Sequence, residues 1–347
     1  MSNLSKYSGS YAKVCAMKSK LFKKSDYEHL IACSSIGGII DFLKKTEGYG
    51  EVLKDVSEAN TDVTELEALI GHAADRDLIN LQHFMNADGK RFMSILVMKK
   101  EIEVLKRILR SVYSGTEYVP DKVAGFLESG FTIDAEKLAS SVDIYEFIDN
   151  LEGTRYYRLI SQFRENPEHL RLFKLEMVLD CYYYKYAWEF TSKSLKGIDK
   201  EIITKFLGSE IDVCNIMWIV RCKRYYNIPK ELIYSFMIPV SYRLKKERII
   251  AMAESRTEDI LYDEIAKTPY AGVFGGKDDD FEKRWASSFI RDEAKAAKLN
   301  PFSIFAVVEF CHEKDNEIKN VIKITEAIRY DVDKSEIMNY LTMKGGE

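Results

Sequence analysis

The stretch DVCNIMWIVRCKRYY, residues 212–226, decides the fold because the chain carries it more than once. Near the C-terminus, residues 317–330 read EIKNVIKITEAIRY. In both, an acid stands three residues before an Asn, Asp212 with Asn215 and Glu317 with Asn320. Apolar or β-branched residues follow at matching places, Ile216, Ile219 and Val220 in one copy and Val321, Ile324 and Thr325 in the other. Each copy closes on an Arg-Tyr pair, Arg224-Tyr225 and Arg329-Tyr330. A weaker copy, EIEVLKRILRS, starts at Glu101 and keeps Leu105, Ile108 and Leu109. Val104 stands where the others have Asn, so the polar part of the motif reads as lost there. Spacings of one, three and four put these residues on one face of an α-helix. The consecutive Met217, Trp218 and Ile219 cover more than one face, the pattern of a helix packed on most of its sides. A buried Asn without partners costs several kcal/mol, so Asn215 and Asn320 are expected to bond neighbouring helix ends.

The segments between these copies repeat as well. IIDFLKKTEGYG, residues 39–50, has Asp41-Phe42-Leu43 followed by Glu47-Gly48. Glu146-Phe147-Ile148 with Glu152-Gly153 matches it, and Glu264-Ile265 through Thr268-Pro269-Tyr270 keeps the helix end and the Tyr. Gly or Pro just past a helix is a stop signal, and Ser25-Asp26 reads as a cap starting a helix ahead of the first copy. The segments leading in, around residues 21–32, 131–139 and 242–251, are alike in outline. The order is the same three times, which predicts three degenerate repeats of roughly a hundred residues, longer than ordinary solenoid periods. Their expected bounds are 1–128, 129–239 and 240–347. Sustained apolar/polar alternation is missing, and Asp88-Gly89 reads as a helix-to-helix connection and not a hairpin. The fold class is all-α.

Composition excludes several functions. The 347 residues carry a net charge of −4, which argues against a phosphate-binding surface over the whole chain. The first fifty residues are locally basic, with Lys13, Lys18, Lys20, Lys23, Lys24, Lys44 and Lys45, but a solvated helix face explains them, and no nucleic-acid partner is expected. The aromatic run from Phe173 to Phe190 is interleaved with Glu176, Asp180 and Glu189, which suits helix packing better than base stacking. Six cysteines without a CxxC, and no leader ahead of Cys15, predict reduced thiols in a cytoplasmic protein. The longest apolar run, residues 301–311, is broken by Glu309 and meets His312, Glu313 and Lys314, so no direct bilayer insertion is expected.

Nothing in the sequence assembles a catalytic centre. The histidines His29, His72, His83, His169 and His312 form no i,i+3 or i,i+4 pair, so no helix presents two metal ligands. Residues 272–277, GVFGGK, lack phosphate-loop spacing and run into Asp278, Asp279 and Asp280, which would repel phosphate. Asp180, Cys181 and His169 are the best cluster an enzyme reading offers. No catalytic residue, cofactor or metal site is assigned.

Taken together, these residues resemble a known family. The acid-x-x-Asn helices at Asp212–Asn215 and Glu317–Asn320, the opening YAKVCAMKSKLFKKSDYEHLI from Tyr11, and Thr268-Pro269-Tyr270 are similar to the C-subunit of the archaeal and bacterial V-type (A-type) ATPases and ATP synthases. That family includes the d-subunit of the eukaryotic vacuolar ATPase. The likeness covers essentially the whole chain; departures are Glu326 where Arg110 and Arg221 match each other, Val104 for Asn, and Ser241 for Gly. The resemblance implies three similar helical domains arranged as a pseudo-threefold funnel. It implies a non-catalytic central-stalk subunit on the cytoplasmic face, whose partners are the rotor shaft subunits and the membrane proteolipid ring. Torque would pass through it to proton or sodium transport. Arg221, Lys223 and Arg224 are the basic candidates for an interface, with pairing to acids of the same chain as their alternative. A generic helical-repeat scaffold is the competing function.

Overall fold

The computed structural model describes residues 3–57, 61, 63–116, 118, 131–164, 172–225, 228–275 and 281–343. Tyr226, His169 and residues 276–280, which hold the end of the glycine-rich piece and its three aspartates, lie outside them. In chain order the α-helices are α1 (Asn3–Lys18), α2 (Lys24–Ala32), α3 (Ile36–Lys44), α4 (Gly50–Leu53), α5 (Val63–His83) and α6 (Ala87–Ser114). There follow α7 (Ala135–Ala139), α8 (Ile144–Asn150), α9 (Tyr157–Ile160), α10 (Leu172–Ser194), α11 (Gly197–Arg224) and α12 (Lys230–Phe236). The last five are α13 (Lys246–Glu254), α14 (Glu258–Ala266), α15 (Phe281–Leu299), α16 (Phe305–Arg329) and α17 (Lys334–Tyr340). Among the described residues there is no strand, and the protein is all-α.

Local chemistry starts several of these helices. Asp143 accepts from the N–H groups of Tyr145 and Glu146 ahead of α8, and Ser35, Asp134, Thr257 and Asp333 cap α3, α7, α14 and α17 in the same way. Each such cap stabilises its helix by about 1 kcal/mol. Ser25-Asp26 is different from its sequence reading. The helix starts earlier, at Lys24, and Asp26 in its first turn reaches back to the Lys23 N–H at 2.7 Å. Asp88-Gly89 is likewise part of α6, where Asn86 accepts the Gly89 N–H at 2.9 Å.

The described residues divide into two compact units, one built from both termini, up to Met93 and from Ala286 onward, the other from the chain between them. In the terminal unit α16 is the axis, packed by α1, α2, α3, α5 and α17. Leu30, Ile39, Ile40, Leu43, Leu53, Leu66 and Ile70 close on its Val321 and Ile324. In the central unit α11 plays that part against α10, α13 and α14. There Ile216, Ile219, Val220 and Cys222 meet Ile233, Met252, Leu261 and Ile265. Trp218 is buried too, and Met217 half-buried. All nine aligned positions of the repeated motif are at most 1% exposed: Leu105, Ile108 and Leu109; Ile216, Ile219 and Val220; Val321, Ile324 and Thr325. Burying one aliphatic side chain contributes roughly 1.5–3 kcal/mol, so this face alone fixes how each helix is oriented.

The aromatic run on α10 packs inside the central unit. Phe173 meets Phe236, Tyr182 meets Tyr156 and Trp188 meets Tyr242, all edge to face. Tyr242 lies so close to α11 that a Cβ on Gly208 would sit 2.4 Å from its ring, so only glycine fits there.

Candidate functional site: three acid–tyrosine joints

The acids of the repeated motif lie well inside their long helices, not at the start, and are buried, and each collects the same kind of donors. Asp212 on α11, fully buried, accepts the backbone N–H of Tyr242 at 3.3 Å, Arg243 at 2.7 Å and Leu244 at 2.8 Å. The Tyr270 hydroxyl completes the set at 2.8 Å. Glu317 on α16 accepts the Phe22 N–H at 2.5 Å and the Tyr49 hydroxyl at 2.7 Å. Glu101 on α6 accepts the N–H of Thr132, that of Ile133 at 3.1 Å, the Thr132 hydroxyl at 2.8 Å and the Tyr156 hydroxyl at 2.5 Å. Phe22, Ile133 and Leu244 each stand two residues before the first helical residue of α2, α7 and α13. The acid therefore holds the entry of a short helix and, through the tyrosine, the segment behind it.

The tyrosines come from a recurring helix stop. Thr46, Thr154 and Thr268 each turn their hydroxyl back onto the carbonyl three residues earlier, at 2.7 Å in every case. Tyr49, Tyr156 and Tyr270 follow, and in the last two the Tyr N–H also donates to the Thr hydroxyl, at 3.3 and 3.2 Å. Burial, and next to it the neighbouring carboxylate, pushes all three phenols above the ordinary tyrosine range, so each remains a proton donor. Hydrogen bonds to a charged acceptor are about twice as strong as neutral ones, which makes these joints stiff.

Two of the three copies add a second clasp. Asn215 accepts the Ile238 N–H at 2.9 Å and donates to the carbonyl of the same residue at 3.3 Å. Asn320 does the same with Thr342, at 3.0 and 2.9 Å. Both Asn side chains are buried, and each ties down the chain just past a short helix, α12 or α17. The copy on α6 has Val104 at this place but keeps the acid, so the reading that its polar part is lost is corrected: only the Asn clasp is missing. The repeat pattern also pairs Glu47-Gly48 with Glu152-Gly153, whereas the bonds align Thr46 with Thr154 and Tyr49 with Tyr156. Thr and Tyr recur in all three segments, which is the signal that finds these positions.

The basic candidates on α11 are engaged within the central unit. Arg221 pairs with Glu282, Arg224 with Glu258 at 2.6 Å, and Lys223 donates to the Ser255 carbonyl at 2.7 Å. Burial lowers the Lys223 ammonium below the usual lysine range. Arg329 lies over the exposed ring of Tyr330, 5.6 Å from its centre, at the end of α16. Of the enzyme cluster, His169 lies outside the described residues, and Asp180 and Cys181 are engaged elsewhere. Asp180 is held by Lys106 at 2.8 and 2.9 Å, and Cys181 is bonded to the Phe236 carbonyl with its thiol pushed up by burial to about 12. Such a thiol is no nucleophile. Among the described residues no group of three or more ligating side chains is arranged to hold a metal ion, and no helix is long and apolar enough to cross a membrane.

Comparison with known proteins covers nearly the whole chain. Residues 10–340 match the family model for the ATP synthase (C/AC39) subunit. The chain is 26% identical to the A-type ATP synthase C-subunit of Methanosarcina acetivorans, over 98% of this chain and 93% of that one. It is 25% identical to the protein of that name from Methanococcoides burtonii, over 98% and 95%, and 24% identical to that of Pyrococcus abyssi, over 95% and 89%.

Proposed function

The chain belongs to the ATP synthase (C/AC39) subunit family, and from that premise we propose that it is the non-catalytic central-stalk subunit linking the rotor shaft to the membrane proteolipid ring. In this reading it sits on the cytoplasmic face, hydrolyses nothing itself, and passes torque between ATP turnover and the transport of protons or sodium ions. Three repeats, 1–128, 129–239 and 240–347, make a funnel about a pseudo-threefold axis.

One observation carries the mechanical part. Each acid bonds the opening of the following repeat: Glu101 reaches Ile133 and Tyr156, Asp212 reaches Leu244 and Tyr270, and Glu317 returns to Phe22 and Tyr49. The order is cyclic, one to two, two to three, three to one. A torque adaptor needs rigid joints between its parts, and buried, fully bonded carboxylates at close-packed helix crossings resist local bending better than apolar contacts alone. Pairing of Arg221, Lys223 and Arg224 with their own unit favours internal stiffening as their role over partner contact.

The test compares membranes with and without this chain. Without it, ATP hydrolysis by the nucleotide-binding part is expected to continue while ATP-driven ion uptake is lost, and added purified chain restores uptake. Uptake that stays coupled in its absence contradicts the proposal and favours the scaffold reading.

A further inference from the structure

The terminal unit contains a row of buried charge that the joints do not use. On α16, Glu309 and Glu313 stand one turn apart, and both carboxyls are almost wholly out of solvent, at 1% and 5% exposure. One cation reaches both: Lys18, the last residue of α1, bonds Glu309 and lies 3.3 Å from Glu313. The second Glu309 oxygen is buried without a donor, beside the Glu313 carboxyl. Two carboxylates this close around one ammonium are costly to keep both ionised, whereas one proton between them turns their contact into a hydrogen bond.

We propose that Glu309, Glu313 and Lys18 form a one-proton latch that holds α1 on α16 and loosens when the proton is lost at alkaline pH. With the proton the three groups sum to zero charge: one carboxylic acid, one carboxylate, one ammonium. Without it, the Glu309 and Glu313 carboxylates face each other beside the Lys18 ammonium, and the repulsion is relieved when water enters between α1 and α16. Burial, then Glu313, raises the Glu309 carboxyl to about 8, with Lys18 pulling the other way.

The surrounding groups do not compete for Glu309. From α1, Tyr11 and Cys15 stand beside Lys18. Further along α16, Lys314 is taken by Glu317 at 2.7 Å and lies over the Tyr49 ring, while Asp77 of α5 has both Lys314 and Arg76 near it. Lys20, in the turn after α1, pairs with Glu47. Glu293 of α15 is bonded to His312 at 2.7 Å. Lys23 and Lys24, at the entry of α2, line the same cavity as Lys18 and Glu313. Of these cations, Lys18 is the one that acts on the Glu309 carboxyl.

The sign follows from linkage. A carboxyl near 4.5 when unfolded and near 8 when folded binds its proton better in the folded protein, so its stabilising effect is complete below about 4.5 and is lost as pH rises through 8. Hydrogen exchange on the full-length protein reads this out locally. After correction for intrinsic rates, protection of α1 amides is expected to fall about tenfold per pH unit between 6.5 and 8 and then level off. The same measurement on α11 is expected to stay flat. Glu309→Gln, which keeps a donor toward Glu313 but has no proton to lose, should flatten the α1 profile. Lys18→Met, which removes the cation bonded to Glu309, should move the fall to higher pH. A flat wild-type profile, or a Glu309→Gln profile parallel to wild type, overturns the latch. Where Glu309→Gln does not fold, a carboxyl titration of the wild type decides: one glutamic acid still protonated at pH 7 supports it, and all carboxyls ionised by pH 6 overturn it.

Discussion

The joints on α11 and α16 use the same parts under different constraints. Around Asp212 every donor lies within 58 residues, and the backbone donor Arg243 is 31 residues away. Around Glu317 the backbone donor Phe22 is 295 residues away, because this joint brings the two ends of the chain together. Closing the longer loop costs about 2 kcal/mol more, from the logarithmic growth of closure entropy. The α16 joint also has something α11 lacks, a buried ammonium, since Lys314 binds Glu317 and rests 3.8 Å from the centre of the Tyr49 ring. A desolvated cation–π contact of about 2 kcal/mol is of the size needed to offset the extra loop. The same helix carries the Lys18 latch one to two turns earlier. One joint design is kept throughout, and charge is added where the connection along the chain is longest.

Removing the acids tests this comparison hardest. Asp212→Ala strands three backbone N–H groups and a phenol in the interior, and is expected to destabilise its unit by about 3–5 kcal/mol. Glu317→Ala is expected to cost more, because it also leaves Lys314 buried without its carboxylate. Denaturant unfolding of the full chain, with hydrogen exchange to say which unit opens, measures both. Equal losses at the two sites would mean that Lys314 adds nothing.

The Asn clasps come next. Asn215→Ala and Asn320→Ala each remove a donor and an acceptor from one buried peptide, Ile238 or Thr342, and are expected to cost about 1–3 kcal/mol. Because the α6 copy already lacks the Asn, its counterpart Val104→Ala is expected to show only the smaller loss of a trimmed aliphatic side chain. A loss at Val104 as large as those at the Asn positions, measured by the same unfolding curves, would blur the distinction.

Much of this is legible in the sequence. Spacings of one, three and four mark the nine core positions, and the acid-x-x-Asn pattern marks Asp212, Asn215, Glu317 and Asn320 as special before their partners are visible. Glu101 is underread there because the missing Asn outweighs the acid that remains. Tyr49 and Tyr156 escape notice when the segments are matched on Glu-Gly, which varies, and not on the Thr that stops the helix. Glu309 reads as a charge that interrupts an apolar run; its burial depends on Lys18, 291 residues away, and no local pattern reports such a pair. For Arg221 and Arg224 the sequence leaves interface contact and internal pairing both open for the same reason, since Glu282 and Glu258 lie 61 and 34 residues further on.

The smallest expected effect is on that surface. Arg221→Ala breaks a half-exposed pair with Glu282 and is expected to change stability by less than about 1 kcal/mol, and less still at high salt. A loss above about 2 kcal/mol in the thermal unfolding of the full chain would mean that Arg221 belongs with the buried joints and not with the solvated rim.

The proposed coupling role depends on the three joints being one device. Double-mutant cycles measure that directly, pairing Asp212→Asn with Tyr270→Phe, Glu317→Gln with Tyr49→Phe, and Glu101→Gln with Tyr156→Phe. Each pair is expected to show a coupling energy of about 1–2 kcal/mol, positive at all three sites. A Glu101–Tyr156 coupling indistinguishable from zero beside two strong ones would contradict the threefold use of the joint, and with it the cyclic order on which the coupling role is built.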